Sequence, residues 1–343
     1  MKIKLKDIAE TLKLSPATVS RALRNHPLIS EETRTLVLRE AERLGYQVSY
    51  THRGRKLHSE NGDFHLLALV SGGSSNDSSL QNASGLTHET LKGISDVADH
   101  FNARLIIDFV DPKRMTIAEM QKKCAGFDGI IFIHRFEEKQ VRAIAGKKPC
   151  VSADYAYPSA MADVVSGGDI DQFVALVGYL KKNGHTRIGY VDFPGPSHPR
   201  GFRGYCGFLS GLRQAGLSVN PELHLLNQDF PDEQMKINRA AELTHAGKAD
   251  VWVCANDYAA MELLEKFTAD GLSVPDDISI TGFGGIQFPG TNLQLCSFRT
   301  PFEQIGQEAA KYLFDRIRTP GIPVRHAFID CTFIEGNSVR CLN

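Results

Sequence analysis

The sequence predicts a small all-α head joined to an α/β core of two doubly wound parallel-sheet subdomains. The first 57 residues contain three short amphipathic helix patterns. From Phe64 onward, apolar strand-like runs alternate with amphipathic helices, which is typical of parallel sheets with right-handed crossovers. These runs are too many for one sheet, and 343 residues are too many for one ordinary domain, so we expect two sheets in the core.

Charge divides the chain into the same two parts. Residues 1–57 hold twelve Lys and Arg against six Asp and Glu, whereas the remaining residues hold 27 against 34. A basic head on an acidic body indicates an anionic partner for the head alone. An ordinary solvated surface is the alternative interpretation of the charge by itself.

Cysteine usage and the N-terminal residues bear on the compartment. The seven cysteines show no CxxC spacing and no His/Cys metal pattern, and several lie in apolar runs. We therefore expect free thiols in a reducing compartment, and no metal. The chain opens without an apolar signal core, and no apolar run reaches the ~18 residues of a membrane span. These features predict a cytoplasmic protein.

The most informative stretch of the head is its second helix pattern, which follows Ser15. The Ser15 hydroxyl suits an N-cap because it can accept a hydrogen bond from a free backbone N–H. Pro16 falls at the first helical position, where a missing N–H costs nothing. Val19 and Leu23 form one apolar edge. The remaining face suits DNA phosphates and base edges, and it carries Thr18, Ser20, Arg21 and Arg24.

Two further helices complete the head. A first helix is predicted over residues 5–12, and only Lys13 and Leu14 separate it from the Ser15 cap. The two helices must therefore cross sharply, as in a helix-turn-helix. A third helix is predicted to start after Ser30 and to stop at Gly45.

Residues 5–45 resemble the DNA-binding head of the lac repressor family of bacterial transcription regulators. The matching residues are Lys6-Asp7-Ile8-Ala9, Leu14 to Leu23, Ile29 to Arg34 and Leu44-Gly45-Tyr46. The resemblance implies that the second helix lies in the major groove, with Pro16, Ala17 and Arg21 reading bases. It also implies phosphate contacts from Ser15, Thr18, Ser20 and Asn25. A bidentate contact from Arg21 to guanine would add roughly 1–3 kcal/mol of discrimination, and a surface salt bridge is the alternative.

The stretch after the head departs from the family pattern. The family has a proline two residues after the tyrosine, and then a hinge helix ending in a leucine that enters the minor groove. Here Val48 replaces the proline, Gly54 weakens a helix, and Leu57, the best wedge candidate, comes two residues late. Basic residues could instead hold the DNA backbone electrostatically. We assign residues 1–57 to the head and 58–63 to a polar linker.

The core, residues 64–343, alternates strands and helices. Predicted strands cover residues 66–70, 104–110, 129–134, 150–153, 187–191, 224–226, 251–255 and 278–283, with terminal strands near 295–298 and 326–334. Predicted helices cover residues 86–101, 114–125, 137–146, 169–183, 201–215, 232–246, 257–270 and 303–318.

This core is similar to the effector-binding core of the same family, which itself resembles periplasmic sugar-binding proteins. The matching stretches are Asn183 to Tyr190, Arg203 to Phe208, Ala255-Asn256-Asp257, Val274 to Phe283 and Arg299-Thr300-Pro301. The resemblance implies an N-terminal subdomain of about 64–157 plus 291–320 and a C-terminal subdomain of about 160–288 plus 324–341. It also implies a small-molecule ligand between them.

Candidate ligand residues lie just past strand ends, because ligands of doubly wound sheets bind beyond the carboxyl ends of the strands. Arg203 and Asp257 occupy such positions and match the family's ligand-binding arginine and aspartate. A guanidinium fork and an acceptor can together hold vicinal hydroxyls. By resemblance, Asp163 matches a third ligand position and Phe230 a ring-stacking one. The alternatives are a helix-start ion pair for Arg203, an N-cap for Asp257 and core packing for Phe230.

Weaker candidates at strand ends of the other subdomain are Ser71, Asn76, His134, Arg135, Asp154 and Tyr155. Two glycine pairs replace polar residues of the family. Gly167-Gly168 stands in place of an Asp-Asn pair, and Gly284-Gly285 in place of an acidic residue. Both should thin the polar lining of the site, which indicates a ligand unlike the commonest sugars, or weaker hydrogen bonding.

An enzyme and a stand-alone sugar-binding protein are the rival classes. Residues 282–285 and 71–74 are glycine-rich after strands, but neither completes a dinucleotide fingerprint. The sequence has no P-loop lysine, HExxH or GxSxG pattern, so we expect neither catalysis nor a cofactor. A stand-alone sugar-binding protein would make the DNA-like head incidental.

The function implied by the resemblance is a homodimeric transcription regulator, acting as a repressor controlled by a sugar or sugar derivative. Two heads would bind the halves of a near-palindromic operator in double-stranded DNA. Effector binding would change the angle between the lobes, and with it the fraction of molecules able to place both heads.

Overall fold

Two compact units, each built around a sheet of mainly parallel strands, make up this chain, as the alternating pattern predicts. The computed structural model describes residues 5–23, 29–44, 48–50, 64–72, 84–157, 161–192, 199–288 and 292–342. One unit comprises Met1–Ser166 with Phe302–Ile329, and the other comprises Gly167–Pro301 with Asp330–Asn343. We call them unit 1 and unit 2. The chain passes between them several residues later than the predicted subdomain boundaries.

The helices and strands of the described residues follow in chain order. The helices are α1 (Leu5–Leu12), α2 (Pro16–Leu23), α3 (Glu31–Leu44), α4 (Ser84–His100), α5 (Ile117–Cys124), α6 (Glu138–Ala145), α7 (Ile170–Lys182), α8 (Pro199–Gln214), α9 (Glu233–His245), α10 (Asp257–Ala269) and α11 (Phe302–Arg318). The strands are β1 (Val48–Tyr50), β2 (His65–Ser71), β3 (Arg104–Val110), β4 (Gly129–Ile133), β5 (Cys150–Ala153), β6 (Asp163–Gly167), β7 (Ile188–Val191), β8 (His224–Leu225), β9 (Val251–Cys254), β10 (Ser279–Thr281), β11 (Ser297–Arg299), β12 (His326–Ile329) and β13 (Thr332–Ile334).

The head consists of α1, α2 and α3, which bury Ile8, Val19 and Val37 completely. The turn between α1 and α2 is tight because Lys13 adopts a left-handed backbone, with φ of 54°. The Leu14 N–H then donates to the Ala9 carbonyl oxygen at 2.9 Å, which closes α1. This is the sharp crossing that the two-residue spacing predicted.

The sheet of unit 1 has the strand order β1-β3-β2-β4-β5-β6-β12. The neighbours from β3 through β6 run parallel, and β1 pairs antiparallel with β3. Two of these strands, β1 and β6, were absent from the sequence prediction. Val48–Tyr50 is therefore extended in the stretch where the family has its hinge, and Leu57 lies outside the described residues.

The helices α4 and α11 pack on this sheet with their backbones in close contact. A Cβ atom on Gly93 would collide with the Glu303 carbonyl oxygen, and one on Gly306 would collide with the Thr90 carbonyl oxygen. Glycine at both positions therefore lets α11 return from the far end of the chain to cover the first sheet.

Unit 2 contains a parallel sheet with the order β10-β9-β7-β8 and an antiparallel pair, β11 with β13. The terminal strand region predicted near 326–334 is divided between two sheets. Residues 326–329 join the sheet of unit 1 as β12, whereas residues 332–334 pair with β11 as β13. The separation falls at Asp330 and Cys331, and the Cys331 Sγ atom lies 3.4 Å from the Gly168 carbonyl oxygen of unit 2.

The helices α7 and α8 of unit 2 pack through a stripe of glycines on α8. Gly204, Gly207 and Gly211 recur at spacings of three and four, so they share one face of the helix. A Cβ atom on Gly207 would lie 2.5 Å from the Ile170 carbonyl oxygen, and one on Gly211 would lie 2.9 Å from the Val177 Cβ. Bare backbone on this face allows α8 to approach the start of α7.

We expect Gly207→Ala to destabilise the protein, because its methyl group would meet backbone that cannot move cheaply. Overpacking of this kind costs about 1–3 kcal/mol, which corresponds to a loss of about 3–10 °C in melting temperature. Gly178→Ala is the matched control, because Gly178 lies in α7 with no atom within 4 Å of its Cβ position. The control should gain up to about 1 kcal/mol from helix propensity. Thermal unfolding followed by circular dichroism measures both, and equal melting temperatures would refute the close approach.

Candidate functional site

The N-terminus of α2 is capped as the sequence predicts. The Ser15 Oγ atom accepts a hydrogen bond from the Thr18 N–H at 3.0 Å, and it lies 2.8 Å from the Thr18 hydroxyl. The Ser15 carbonyl oxygen accepts from the Val19 N–H at 3.1 Å. This pairing fixes the first turn of the helix and orients its side chains.

The face of α2 that lies away from the head's core is exposed. Pro16, Ala17 and Arg21 are all exposed, whereas Val19 and Leu23 are buried against α1 and α3. Thr18 and Ser20 are half-buried beside this face. The predicted DNA contacts Asn25 and Leu57 lie outside the described residues. The structure thus brings six of the eight predicted residues together on or beside one exposed helix face.

The second candidate site is the carboxyl edge of the unit 2 sheet, where Arg203 is held by an aspartate. The Arg203 Nε atom donates to Asp169 Oδ1 at 3.0 Å and Oδ2 at 2.8 Å. Asp169 is almost fully buried and also caps α7, because its carboxylate accepts from the Ile170 N–H at 2.7 Å. The helix-start ion pair left open for Arg203 is therefore present. It fixes the direction of the guanidinium while about a third of the Arg203 side chain stays exposed.

Asp169 is a residue that the sequence reasoning missed. It follows the Gly167-Gly168 pair directly and precedes the first turn of α7. An aspartate between a strand and a helix is the usual signal of an N-cap, so its structural position could have been predicted. Its partner could not, because the ion pair depends on the packing of α8 against α7.

Asp257 is fully buried and holds the loop that follows β10. Its Oδ2 atom accepts from the Ile286 N–H at 2.7 Å, and its Oδ1 atom accepts from the Ser297 hydroxyl at 2.7 Å. The loop passes over the carboxylate because Gly284 and Gly285 have positive φ angles of 135° and 74°. The helix cap at this point is Asn256, whose side chain accepts from the Ala259 N–H, so Asp257 is not the N-cap.

This geometry gives the Gly284-Gly285 pair a second reason. A Cβ atom on Gly284 would lie 3.0 Å from the Asp257 Oδ2 atom, and one on Gly285 would lie 2.6 Å from the Arg299 Cα atom. Gly284 therefore makes room for the carboxylate, and Gly285 makes room for Arg299. Burial raises the pKa of Asp257 to about 6, against the opposing effect of the hydrogen bonds from Ile286 and Ser297. Asp257 therefore holds the loop after β10 against β11 through buried hydrogen bonds.

The structure gives Asp163 a different role from the predicted ligand contact. It lies at the start of β6, paired in register with Val151, and so at the amino edge of the unit 1 sheet. It is completely buried. Arg316 donates to both of its carboxylate oxygens, at 2.6 and 3.0 Å, and the Arg325 backbone N–H donates at 2.8 Å. The prediction of an effector contact is corrected here, because ligands of such sheets bind at the opposite edge.

Phe230 is the last of the four effector-binding residues that the resemblance implies. Phe230 is half-buried and packs against the apolar core of unit 2, so core packing accounts for part of its surface.

In unit 1, His134 and Asp154 directly follow β4 and β5, and both have left-handed backbones, with φ of 65° and 72°. The Thr87 Oγ1 atom lies 2.7 Å from His134 Nε2, and burial lowers the pKa of His134, so this imidazole is neutral at pH 7.

Several other features bear on the class of protein. No group of three or more His, Cys, Asp or Glu residues within the described ranges could hold a metal ion. Among the helices described above, none is both long and apolar enough to cross a membrane. All seven cysteines are free, and five of them are buried.

Comparison with known proteins agrees with this division into head and core. The family model for bacterial regulatory proteins of the lacI family matches residues 4–49. A model for the periplasmic binding protein-like domain matches residues 177–339, and together the two cover more than half of the chain.

Similar proteins extend over nearly the whole length. The HTH-type transcriptional repressor CytR of Escherichia coli K12 is 26% identical over 98% of this chain and 96% of its own. The probable HTH-type transcriptional repressor ExuR of Bacillus subtilis is 25% identical over 99% of both chains. In fold, the chain is similar to the transcriptional regulator CelR in its cellobiose complex, with a TM-score of 0.65, 20% identity, and coverage of 98% and 100% of the two chains.

A helix-turn-helix head joined to a periplasmic-binding-protein-like core defines a DNA-binding transcription regulator. This chain combines a DNA-binding domain of the lacI family of bacterial regulatory proteins, at residues 4–49, with a periplasmic binding protein-like domain at residues 177–339. CytR and ExuR, which this chain matches over nearly its whole length, are transcriptional repressors and not enzymes. The rival interpretation as an α/β enzyme is thereby set aside.

The raised pKa of Asp257 predicts a pH-dependent stability that Asp257→Asn should remove. A pKa of about 6 in the folded chain, against an ordinary 3.8, means that the folded state binds this proton more tightly. The stabilisation is present below pH 3.8 and is lost as the pH rises through 6, by about 3 kcal/mol in total. The amide of Asp257→Asn cannot ionise. The unfolding free energy of the variant, relative to that of the wild type, should therefore rise by about 3 kcal/mol between pH 4 and pH 7.

Urea unfolding of the full chain at several pH values measures this difference. Asp276→Asn is the control, because Asp276 is exposed beside the same sheet and its variant should follow the wild-type profile. Parallel profiles for wild type and Asp257→Asn would show that the carboxylate is ionised without penalty in the folded chain.

Proposed function

We propose that this protein is a transcriptional repressor whose affinity for operator DNA is set by a small hydroxyl-rich ligand bound at the carboxyl edge of the unit 2 sheet. The observation that carries the proposal is the capped helix α2, which presents Pro16, Ala17 and Arg21 to solvent on a head with a net positive charge. A sugar-binding protein that acts alone has no use for such a head.

The DNA contacts follow from the chemistry of that face. Arg21 offers a planar fork that matches the O6 and N7 atoms of guanine, and Pro16 and Ala17 offer apolar contact to a thymine methyl. The phosphate contacts are assigned to Ser15, Thr18, Ser20 and Asn25, and Leu57 is the candidate wedge in the minor groove. Because a single head carries one strong base reader, we propose a homodimer that reads two half-sites. Such a protein works in the cytoplasm, on the chromosome.

The ligand is assigned to the edge where Asp169 directs the Arg203 guanidinium. A fixed fork of donors suits adjacent hydroxyls of a sugar. Two regulators of similar fold support this class, since CelR was solved with cellobiose and a regulator from Enterococcus faecium with ribose, the latter at 21% identity and a TM-score of 0.66. Asp257 supports this edge through its loop, and Phe230 is the candidate for stacking on the ligand. Ligand binding shifts the population able to place both heads on DNA.

Two variants should separate the two halves of this function. Arg21→Ala should weaken binding to an operator, obtained by in vitro selection from random duplexes, by roughly 5- to 150-fold and relax its sequence preference. Arg203→Ala should bind the same operator as the wild type does but lose the response to the active sugar in a panel of ribose, glucose, sucrose and cellobiose. Fluorescence anisotropy measures both, and wild-type affinity should fall steeply with salt concentration.

The matched controls, Arg39→Ala and Arg213→Ala, remove a positive charge from the head and from unit 2, respectively. Arg39 lies on the exposed side of α3, and Arg213 lies on the exposed side of α8, ten residues from Arg203. Undiminished affinity and selectivity in Arg21→Ala, or an operator affinity independent of salt, would contradict the DNA-binding proposal. An unchanged sugar response in Arg203→Ala would contradict the ligand site.

A further inference from the structure

A lysine is buried completely in unit 2. Lys236 lies in the first turn of α9, and only 1% of its side chain is exposed. An ammonium group out of water is unfavourable unless acceptors and opposite charges surround it. Its partners therefore show what this charge is used for.

The Lys236 ammonium joins three separate segments. Its Nζ atom donates to the Asp192 carbonyl oxygen at 3.0 Å and to the Asn227 side-chain oxygen. It also lies 2.9 Å from the Glu233 Oε1 atom, an ion-pair distance without hydrogen-bond geometry. The Lys236 ammonium therefore contacts a backbone carbonyl oxygen, a side-chain amide oxygen and a carboxylate.

Two of these partners lie at the edge of the sheet where the ligand is proposed to bind. Asp192 directly follows β7, and Asn227 begins the short 3-10 turn Asn227–Asp229 after β8. The strands β7 and β8 are parallel neighbours, so both segments emerge at the carboxyl edge. The Asn227 N–H also donates to Asp192 Oδ2 at 3.4 Å, so the two segments contact each other as well as Lys236.

We propose that Lys236 is a positioning residue for the effector site of unit 2. It holds the segments that follow β7 and β8 at a fixed spacing, and these segments form the carboxyl edge on which Arg203 also lies. Because its side chain is 1% exposed, Lys236 acts through Asp192 and Asn227 and does not contact the ligand itself. The expected effect on ligand binding rests on the proposed function. The expected effect on the segments after β7 and β8 rests only on the contacts of Lys236 with Asp192 and Asn227.

A buried lysine could serve stability alone, and that reading makes a different prediction. If Lys236 only stabilises unit 2, any variant that restores the melting temperature should also restore the segments and ligand binding. If it positions the segments, removing the charge pair as a whole should restore stability without restoring order at the edge. Glu233 makes this separation possible, because it is the charged partner and belongs to α9 itself.

The experiment compares Lys236→Met with the double variant Glu233→Gln/Lys236→Met in the full chain. Hydrogen exchange measured by mass spectrometry reports on peptides covering residues 186–192 and 223–232, with peptides from α7 as the internal reference. Lys248→Met is the control, because Lys248 is exposed shortly after the same helix. Melting temperatures and binding of ribose, glucose, sucrose and cellobiose are measured on the same samples.

We expect both variants to exchange at least tenfold faster in the two edge peptides, with α7 unchanged. The double variant should recover most of the melting temperature lost in Lys236→Met, yet bind the active sugar at least tenfold more weakly than the wild type. Wild-type exchange at the edge in both variants, or recovery of exchange together with stability in the double variant, would overturn the positioning role. Faster edge exchange with unchanged sugar affinity would uphold Lys236 as the link between the segments and would instead place the ligand elsewhere, against the proposed function.

Discussion

The close approach of α8 to the start of α7 is the constraint on which the proposed ligand edge of unit 2 depends. Gly204, Gly207 and Gly211 leave one face of α8 without side chains, so α7 packs directly against the α8 backbone. The Ile170 backbone lies against Gly207, and the Phe173 and Val177 side chains lie against Gly204 and Gly211. The close packing of α8 on α7 brings the Arg203 guanidinium to Asp169, whose carboxylate also caps α7. An arginine that would otherwise sample many rotamers is thereby held in one direction, and the entropy of ordering it is lost during folding instead of on ligand binding.

Three buried aspartates in the core show how one residue type is used for three purposes. Asp163 neutralises Arg316 and fixes the chain end that returns to the first sheet. Asp169 caps a helix and orients Arg203. Asp257 accepts hydrogen bonds from the Ile286 N–H of the glycine loop and from the Ser297 hydroxyl of β11, and burial raises its pKa to about 6. Each is satisfied by hydrogen bonds, as buried carboxylates must be, and what differs is which segment each one holds.

The sequence pattern was sufficient for the head and for most of the alternating core. The Ser15 cap and the two-residue turn are local features, so residue types and spacing predict them. The short strand β6 and the separation of β12 from β13 were missed, because strand membership there is decided by partners distant in sequence. The predicted ligand contact of Asp163 was wrong for the same reason, because a match to a family motif does not tell at which edge of a sheet a residue lies. Lys236 carries no sequence signal, because a lysine in a first helical turn is ordinarily exposed.

The Arg203 guanidinium, held in one direction by Asp169, defines the proposed ligand edge of unit 2. A crystal structure of the full chain with whichever of ribose, glucose, sucrose or cellobiose raises its melting temperature most would test this directly. The account predicts a sugar hydroxyl within about 3 Å of the guanidinium, with the Asp169 ion pair intact and Asp163 untouched by the ligand. A sugar bound away from Arg203, or one that displaces Arg316 from Asp163, would contradict it.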